Sequence, residues 1–129
     1  MSRIEWDDHI AVTPRGGGDY AAELTDGWVV GGGVNGGYLL AVIGNALSLA
    51  VPGKPDPIAV SAYYLSAAVP GPATVSTRVI RDGGSVATLA ADLKQGDETR
   101  ITVLATYGDL DRLPDDVRTT ATPPTMPPL

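Results

Sequence analysis

Fourteen consecutive residues, from Tyr38 to Val51, carry no charge, and only Asn45 and Ser48 among them are strongly polar. A glycine-rich stretch precedes this segment and Pro52 follows it. At about 1.5 Å per residue a helix here is roughly 20 Å long, whereas a bilayer hydrocarbon core is about 30 Å thick. Because a helix that is apolar on all sides is not stable against water, it has to be buried in protein. The segment therefore predicts one central helix buried by the rest of the chain.

Downstream of this helix the hydrophobic period changes from 3.6 to 2, which is typical of strands. Four alternating runs follow, separated by turn sequences rich in Gly and Pro, at residues 58–65, 73–79, 87–94 and 100–107. The first run is apolar on both faces, which predicts a central strand of the sheet. The other three predict an antiparallel meander with one buried face.

Ahead of the helix, residues 19–24 alternate in the same way, and residues 28–30 are a candidate short strand. The predicted fold class is α+β, an antiparallel β-sheet wrapped around one long buried central helix. We expect an N-terminal arm at residues 1–18, a folded domain at 19–112, and a proline-rich tail or linker at 113–129.

Charge and composition exclude several functions. The formal net charge is −6 and the pI is near 4.4, so neither a nucleic acid nor an anionic membrane is an expected partner. The chain has no Cys, which excludes disulfides, thiolate metal sites and Cys nucleophiles. His9 is the only histidine, so no metal site is expected, and no cofactor is predicted. The N-terminus lacks an apolar leader segment, which favours a cytoplasmic protein.

The glycines before the helix allow three interpretations. Gly31-x-Gly33-x-x-Gly36 has the spacing of a dinucleotide-binding loop. That function needs a parallel β-α-β unit with an acidic residue closing its second strand, whereas Asp56 precedes its strand and no second helix is predicted. The glycines also suit close packing of the helix on the sheet. In the third interpretation, the first N–H groups of the helix hold a carbonyl oxygen that gains negative charge during acyl transfer.

An ordered series of short motifs resembles the hotdog-fold acyl-CoA thioesterases, in particular the N-terminal half of the double-hotdog thioesterase II type. The resemblance extends over residues 20–110. Its motifs are Asn35-Gly36-Gly37-Tyr38-Leu39, Ser61-x-Tyr63-Tyr64-Leu65, Pro70-Gly71-Pro72, Arg81-Asp82-Gly83-Gly84-Ser85 and Gln95-Gly96.

The resemblance implies hydrolysis of a fatty acyl-CoA thioester, with the carbonyl polarised at the N-terminus of the central helix. The catalytic candidates are Asn35, Gly37 and Asp26. Asn35 is also an ordinary helix cap, and Asp26, within Thr25-Asp26-Gly27, is an ordinary turn residue.

The substrate-binding candidates are Gly36, Tyr38, Tyr63, Arg81 and Ser85. The backbone N–H groups of Gly36, Gly37 and Tyr38 are expected to contact the carbonyl. Tyr63 is expected to border the acyl chain and Arg81 to meet the CoA phosphates, although a solvated strand face explains Arg81 equally well. The lone His9 is expected to be exposed in an acidic arm, without a catalytic role.

Two departures from the family keep other functions open. In double-hotdog members the Asp, Thr and Gln associated with hydrolysis lie in the second repeat, which has no counterpart here, and Gly84 stands where the family usually has Arg. A non-catalytic acyl-thioester-binding or dimerisation module is therefore the alternative, followed by an acyl-thioester hydratase. The expected assembly is a homodimer or higher oligomer of hotdog domains joined edge to edge.

Overall fold

A computed structural model describes residues 4–112 and 119–129. In chain order the helices and strands are α1 (Glu5–His9), β1 (Val12–Gly16), β2 (Asp19–Leu24), β3 (Val29–Val30), β4 (Gly33–Val34), α2 (Gly36–Ala50), β5 (Asp56–Tyr64), β6 (Gly71–Asp82), β7 (Val86–Gln95) and β8 (Glu98–Gly108). Short 3-10 turns lie at Asp26–Trp28 and Leu110–Arg112. Residues 119–129 contain neither helix nor strand. Residues 1–3 of the predicted arm and residues 113–118 of the predicted tail lie outside the described residues.

Six strands form one antiparallel sheet in the order β1-β2-β6-β7-β8-β5, and α2 packs across one face of it. The predicted architecture, an antiparallel sheet wrapped around one central helix, is confirmed. The helix supplies Val42, Ile43, Ala46 and Leu47 to the core, all of them inaccessible to solvent or nearly so. Burial of these apolar side chains against the sheet is the main stabilising contribution to the fold.

The meander follows the predicted alternation, because successive strand residues point to opposite faces of a sheet. The inner face of β7 buries Ala87, Leu89, Ala91 and Leu93, and the inner face of β8 buries Ile101, Val103, Ala105 and Tyr107. The other residues of both strands are more accessible, except Gly108 at the end of β8, which is buried.

The position of β5 in the sheet corrects one prediction. Apolar residues on both faces predicted a central strand, but β5 is an edge strand that pairs only with β8. Ile58, Val60, Tyr63 and Tyr64 remain exposed on it. The composition of β5 is that of a covered strand, whereas no described residue covers its free edge.

The N-terminal part also differs from the prediction. Val12–Gly16, assigned to an arm, is strand β1 and pairs with β2 at the other edge of the sheet. The candidate strand at residues 28–30 exists as β3, but it pairs only with β4 in a separate two-stranded hairpin. Gly31 and Gly32 form its turn with φ values of 60° and 88°, a conformation that favours glycine.

The composition of the central helix predicted burial on every side, and the structure corrects this prediction. Leu49 is 51% exposed, and a stripe along another face of α2 is accessible to solvent. Gly37 is exposed in this stripe, and Leu40, Ala41, Gly44 and Ser48 are partly accessible. The reason is geometric: α2 packs mainly on β6 and β7 in the middle of the sheet, and a cavity separates part of this stripe from β5 and β8.

Candidate functional site

The N-terminus of α2 is held in place by three hydrogen bonds. The Asn35 side chain caps the helix, since its Oδ1 accepts from the Tyr38 N–H at 3.0 Å. The Asn35 N–H donates to the Trp28 carbonyl at 2.8 Å, and the Val34 N–H donates to the Ala68 carbonyl at 3.1 Å. Asn35 is therefore confirmed as the helix cap, and the loops on both sides fix the direction in which the helix begins.

Two backbone donors remain free at this helix end. Within the described parts of the chain, neither the Gly36 N–H nor the Gly37 N–H donates a hydrogen bond. The Tyr38 N–H, also predicted to contact a carbonyl, is already occupied by Asn35. Two of the three predicted donors are thus available, and they carry the partial positive charge of a helix N-terminus.

Tyr64 reaches the helix start, whereas Tyr63, which is predicted to border the acyl chain, points to the other face of the sheet. The Tyr64 hydroxyl donates to the Gly36 carbonyl at 2.8 Å, and a Cβ added at Gly36 would lie 3.0 Å from the Tyr64 ring. Tyr63 pairs with Thr102 on the outer face of the sheet and is 67% exposed. Because side chains alternate along a strand, Tyr64 lies on the same face of β5 as Val60. The sequence did not show which face of β5 contacts the helix, and this is why Tyr63 was predicted.

An apolar cavity of about 290 Å³ opens beside the free donors, between α2 and the overhanging part of β5 and β8. Its helix side includes Gly37, Ala41, Gly44 and Leu47, and its strand side includes Pro57, Val60, Val103 and Tyr107. No charged side chain lines it. The cavity therefore suits a hydrocarbon group whose polar end lies near Gly37.

Tyr107 is the only lining residue with a polar side-chain group. Its hydroxyl donates to the Gly44 carbonyl at 3.2 Å. Burial raises the pKa of the Tyr107 phenol above its ordinary value of 10.0, while the nearby Ser48 hydroxyl lowers it by a smaller amount. The phenol is neutral at physiological pH, and the cavity wall remains uncharged.

An aromatic cluster supports the helix start from the opposite side. The Tyr38 hydroxyl donates to the His9 carbonyl at 2.8 Å and accepts from the Thr25 N–H at 3.3 Å. The Tyr38 ring stacks on Trp28, with ring centroids 5.9 Å apart. The Tyr38 side chain is thus a buried structural element, so any contact it makes with a ligand has to come from its backbone.

His9 differs from the expectation of an exposed, isolated side chain. It is half-buried, and its Nδ1 accepts a hydrogen bond from Trp28 Nε1 at 3.0 Å. Asp26 lies in the 3-10 turn just before Trp28, and its side chain is exposed. The turn role of Asp26 fits this position, and its catalytic role stays a prediction.

Arg81 and Ser85 lie at the opposite end of the sheet from the free donors. Asp82, the neighbour of Arg81, forms an ion pair with Lys54, and Lys54 lies just after the C-terminus of α2. A Cβ added at Gly108 would lie 3.5 Å from the Ser85 carbonyl oxygen, and Gly108 pairs with Asp56. With 15 residues in the helix, the two ends are roughly 20 Å apart. One copy of the chain therefore does not bring Arg81 and Ser85 to Gly36 and Gly37.

The described residues contain no group of three or more His, Asp or Glu placed to hold a metal ion. Over the same residues, none of the helices combines the length and the hydrophobicity needed to cross a bilayer.

Comparisons with known proteins agree on one family. Residues 24–108 match the profile of the acyl-CoA thioesterase N-terminal domain. A candidate thioesterase II from Thermobifida fusca has a similar structure, with a TM-score of 0.85 and 32% identity, over 96% of this chain and 46% of that one. A hot dog fold protein of unknown function from Alicyclobacillus acidocaldarius gives a TM-score of 0.82 at 21% identity, over 98% and 47% of the two chains.

An uncharacterized protein from Mycobacterium tuberculosis is 30% identical over 95 residues, which cover 70% of this chain and 33% of that protein. The chain thus spans about a third of the curated relatives it matches and slightly less than half of the two solved structures. These similarities confirm the predicted hotdog fold and the predicted resemblance.

Proposed function

The chain belongs to the acyl-CoA thioesterase N-terminal domain family, and from this premise we propose that it hydrolyses the thioester of a fatty acyl-CoA. In this proposal the thioester carbonyl lies at the N-terminus of α2, within reach of the Gly36 and Gly37 N–H groups. Such a role places the protein in lipid metabolism. A cytoplasmic location is part of the same proposal, because coenzyme A thioesters are made and consumed inside cells.

One observation carries the proposal: of the two adjacent N–H groups that have no partner in the described residues, that of Gly37 lies at the mouth of an uncharged cavity. Gly37 belongs to both features, since its N–H is free and its backbone lines the cavity. A fatty acyl thioester has the matching shape, a polar carbonyl followed by a hydrocarbon chain. The helix N-terminus and the cavity thus bind adjacent parts of one substrate.

Hydrolysis requires stabilisation of the oxyanion that forms when water attacks the carbonyl carbon. Two N–H groups at a helix N-terminus are preorganised donors for that charge, and removing one such donor typically costs about 10²–10³-fold in kcat. The Asn35 side-chain oxygen is committed to the Tyr38 N–H. Its Nδ2 hydrogens are left to orient the water or the thioester at the same helix end.

A second copy of the chain completes the site in this proposal. Edge strand β5 can pair antiparallel with β5 of a second copy, which protects both free edges. Antiparallel pairing brings the start of the second β5 beside the end of the first. The Arg81 and Ser85 end of one copy then approaches Gly36 and Gly37 of the other. Arg81 and Ser85 are proposed to contact the coenzyme A portion of the substrate across this interface.

A non-catalytic acyl-thioester-binding module is the second candidate. This candidate is favoured because no carboxylate is available as a general base at the helix start. In the described residues, no carboxylate is hydrogen-bonded to the Gly36 or Gly37 N–H or to the Asn35 cap. Asp26 is exposed, and it would have to turn toward the substrate to act as a general base. The hydratase alternative gains no support from His9, whose Nδ1 is engaged by Trp28.

Thiol release from a series of saturated acyl-CoAs separates these functions, with binding of non-hydrolysable alkyl-CoA thioethers as the parallel measurement. Turnover supports the hydrolase. Thioether binding without turnover supports the binding module. If the protein neither binds the thioethers nor releases thiol from the acyl-CoAs, both proposed functions are contradicted.

A further inference from the structure

The cavity beside α2 is elongated along the helix axis. Its helix lining begins at Gly37 and ends at Leu47, ten residues later, which corresponds to about 15 Å along the axis. The strand lining follows the same direction. Pro57 and Tyr107 are partners in the sheet at the far end, beside the C-terminal half of α2. The cavity therefore has a polar mouth at Gly37 and an uncharged far end at Leu47 and Tyr107, where the phenol is hydrogen-bonded to the Gly44 carbonyl.

The dimensions select a hydrocarbon chain as the occupant. An extended chain advances about 1.25 Å per carbon, the projection of a C–C bond of about 1.5 Å, so about 15 Å accommodates roughly twelve carbons. A helix from a second copy, at least about 10 Å in diameter with its side chains, does not fit this space.

We infer that the cavity measures the acyl chain and selects medium-length acyl groups of about ten to twelve carbons. This inference rests on the proposed function, because it assigns the carbonyl to the Gly37 end. Longer chains extend past Leu47 and Tyr107 and gain no further buried surface there. Shorter chains leave the far end empty.

Gly44 determines the usable length of the cavity. It lies two helical turns beyond Gly37, about 10 Å along the axis. A Cβ at this position would meet the Tyr107 hydroxyl at 3.4 Å, which is ordinary van der Waals contact. Gly44 has no positive φ, and a helix interior favours most other residues over glycine. The absence of a side chain at Gly44 thus keeps the middle of the cavity open.

The test is the affinity of alkyl-CoA thioethers with 4 to 16 carbons for the wild-type protein and for Gly44→Leu. In the wild type, each added methylene is expected to tighten Kd by up to about fourfold until about twelve carbons, with no gain beyond. In Gly44→Leu the gain should stop at about six to eight carbons, while the Kd of the four-carbon thioether stays within about twofold.

Gly53→Leu is the matched control, because Gly53 lies in a loop with open space around it and no positive φ. It should reproduce the wild-type limit. Ala41→Leu is the second variant in case Gly44→Leu does not fold. Ala41 lies one turn after Gly37, and the gain should then stop at about four to six carbons.

Each other outcome overturns the inference in a different way. A Kd that keeps decreasing through 16 carbons in the wild type would refute the chain-length selection alone. The same holds if Gly44→Leu raises the Kd of all thioethers by the same factor. Loss of self-association in Gly44→Leu, measured by sedimentation, would show that a second copy occupies the cavity. Failure of the wild-type protein to bind any thioether would refute the proposed function together with the inference.

Discussion

Trp28 Nε1 donates a hydrogen bond to His9 Nδ1 at 3.0 Å, and this bond joins α1 to the loop that leads into the central helix. Because Nδ1 accepts, the hydrogen of the neutral imidazole is on Nε2, which faces Glu5 at 3.8 Å. The Trp28 carbonyl in turn accepts from the Asn35 N–H at the helix cap. The N-terminal helix thus supports the site through one chain of hydrogen bonds.

Replacing His9 by Phe should lower the free energy of unfolding by about 1–3 kcal/mol, because a partly buried indole N–H loses its acceptor. Urea denaturation followed by Trp fluorescence measures the change. Asp7→Ala on the same helix is the control, since Asp7 is exposed, and it should leave the midpoint almost unchanged. Equal midpoints for His9→Phe and the wild type would show that the bond does not contribute to stability.

Replacing Asn35 by Ala should lower the free energy of unfolding by about 1 kcal/mol, because the Tyr38 N–H loses its capping acceptor. Asn35→Asp keeps an acceptor oxygen at the same place and should retain wild-type stability. Thermal or urea unfolding of the three proteins decides this. A destabilised Asp variant, equal to the Ala variant, would contradict the capping role.

Stability should fall at alkaline pH because of Tyr107. Burial raises the pKa of this phenol in the folded protein above its value of 10.0 in the unfolded chain. Between the pKa of the unfolded chain and the higher pKa of the folded protein, the unfolded state has lost the proton that the folded state retains. Unfolding therefore becomes more favourable as the pH rises through this range. The slope attributable to Tyr107 is at most about 1.4 kcal/mol per pH unit, and it ends at the folded-state pKa.

Urea denaturation between pH 8 and pH 11 measures this effect as the difference between the wild type and Tyr107→Phe. The Phe variant lacks the titrating group and should lose less stability across the alkaline range. Parallel curves for the two proteins would mean that the phenol has the same proton affinity in both states.

Self-association through β5 should be abolished by a charge at the sheet edge. Val60→Lys places an ammonium group on edge strand β5, at the wall of the cavity, where a second copy would desolvate it. Val79→Lys is a matched control, because Val79 is 43% exposed, close to the 39% of Val60, but lies on the internal strand β6. Sedimentation should give twice the chain mass of 13.3 kDa for the wild type and the control, and a single mass for Val60→Lys. A monomeric wild type would contradict the dimer.

Periodicity predicted the features that depend on burial alone. The uncharged helix and the alternation from Ala87 to Leu93 follow from which side chains avoid water, so the sequence contains that information. The order of the strands does not follow in the same way. Apolar faces on β5 are typical of a covered strand, but they do not show whether its own chain or another one would cover it.

The candidate site was predicted in part. Asn35 and the Gly36 and Gly37 donors depend on local helix-start chemistry, which a short motif specifies. The contact of Tyr64 with Gly36 spans 28 residues, and that of Trp28 with His9 spans 19. Such contacts depend on how the sheet and α1 fold onto the helix, and no local pattern encodes them.

The N–H groups at the start of α2 are the proposed oxyanion donors, and replacing Gly36 by proline removes one of them selectively. Gly36 is the first helical residue, where proline is well tolerated, and the ψ of 131° at Asn35 suits a residue that precedes proline. Gly36→Ala is the matched control, because it adds the same Cβ near the Tyr64 ring but retains the N–H.

The most direct test is kcat for thiol release from saturating dodecanoyl-CoA by Gly36→Pro and Gly36→Ala. We expect kcat of the Pro variant to be about 10²-fold lower than that of the Ala variant, because one oxyanion donor is lost. Equal kcat values in two folded variants would show that the carbonyl is not held at this helix N-terminus.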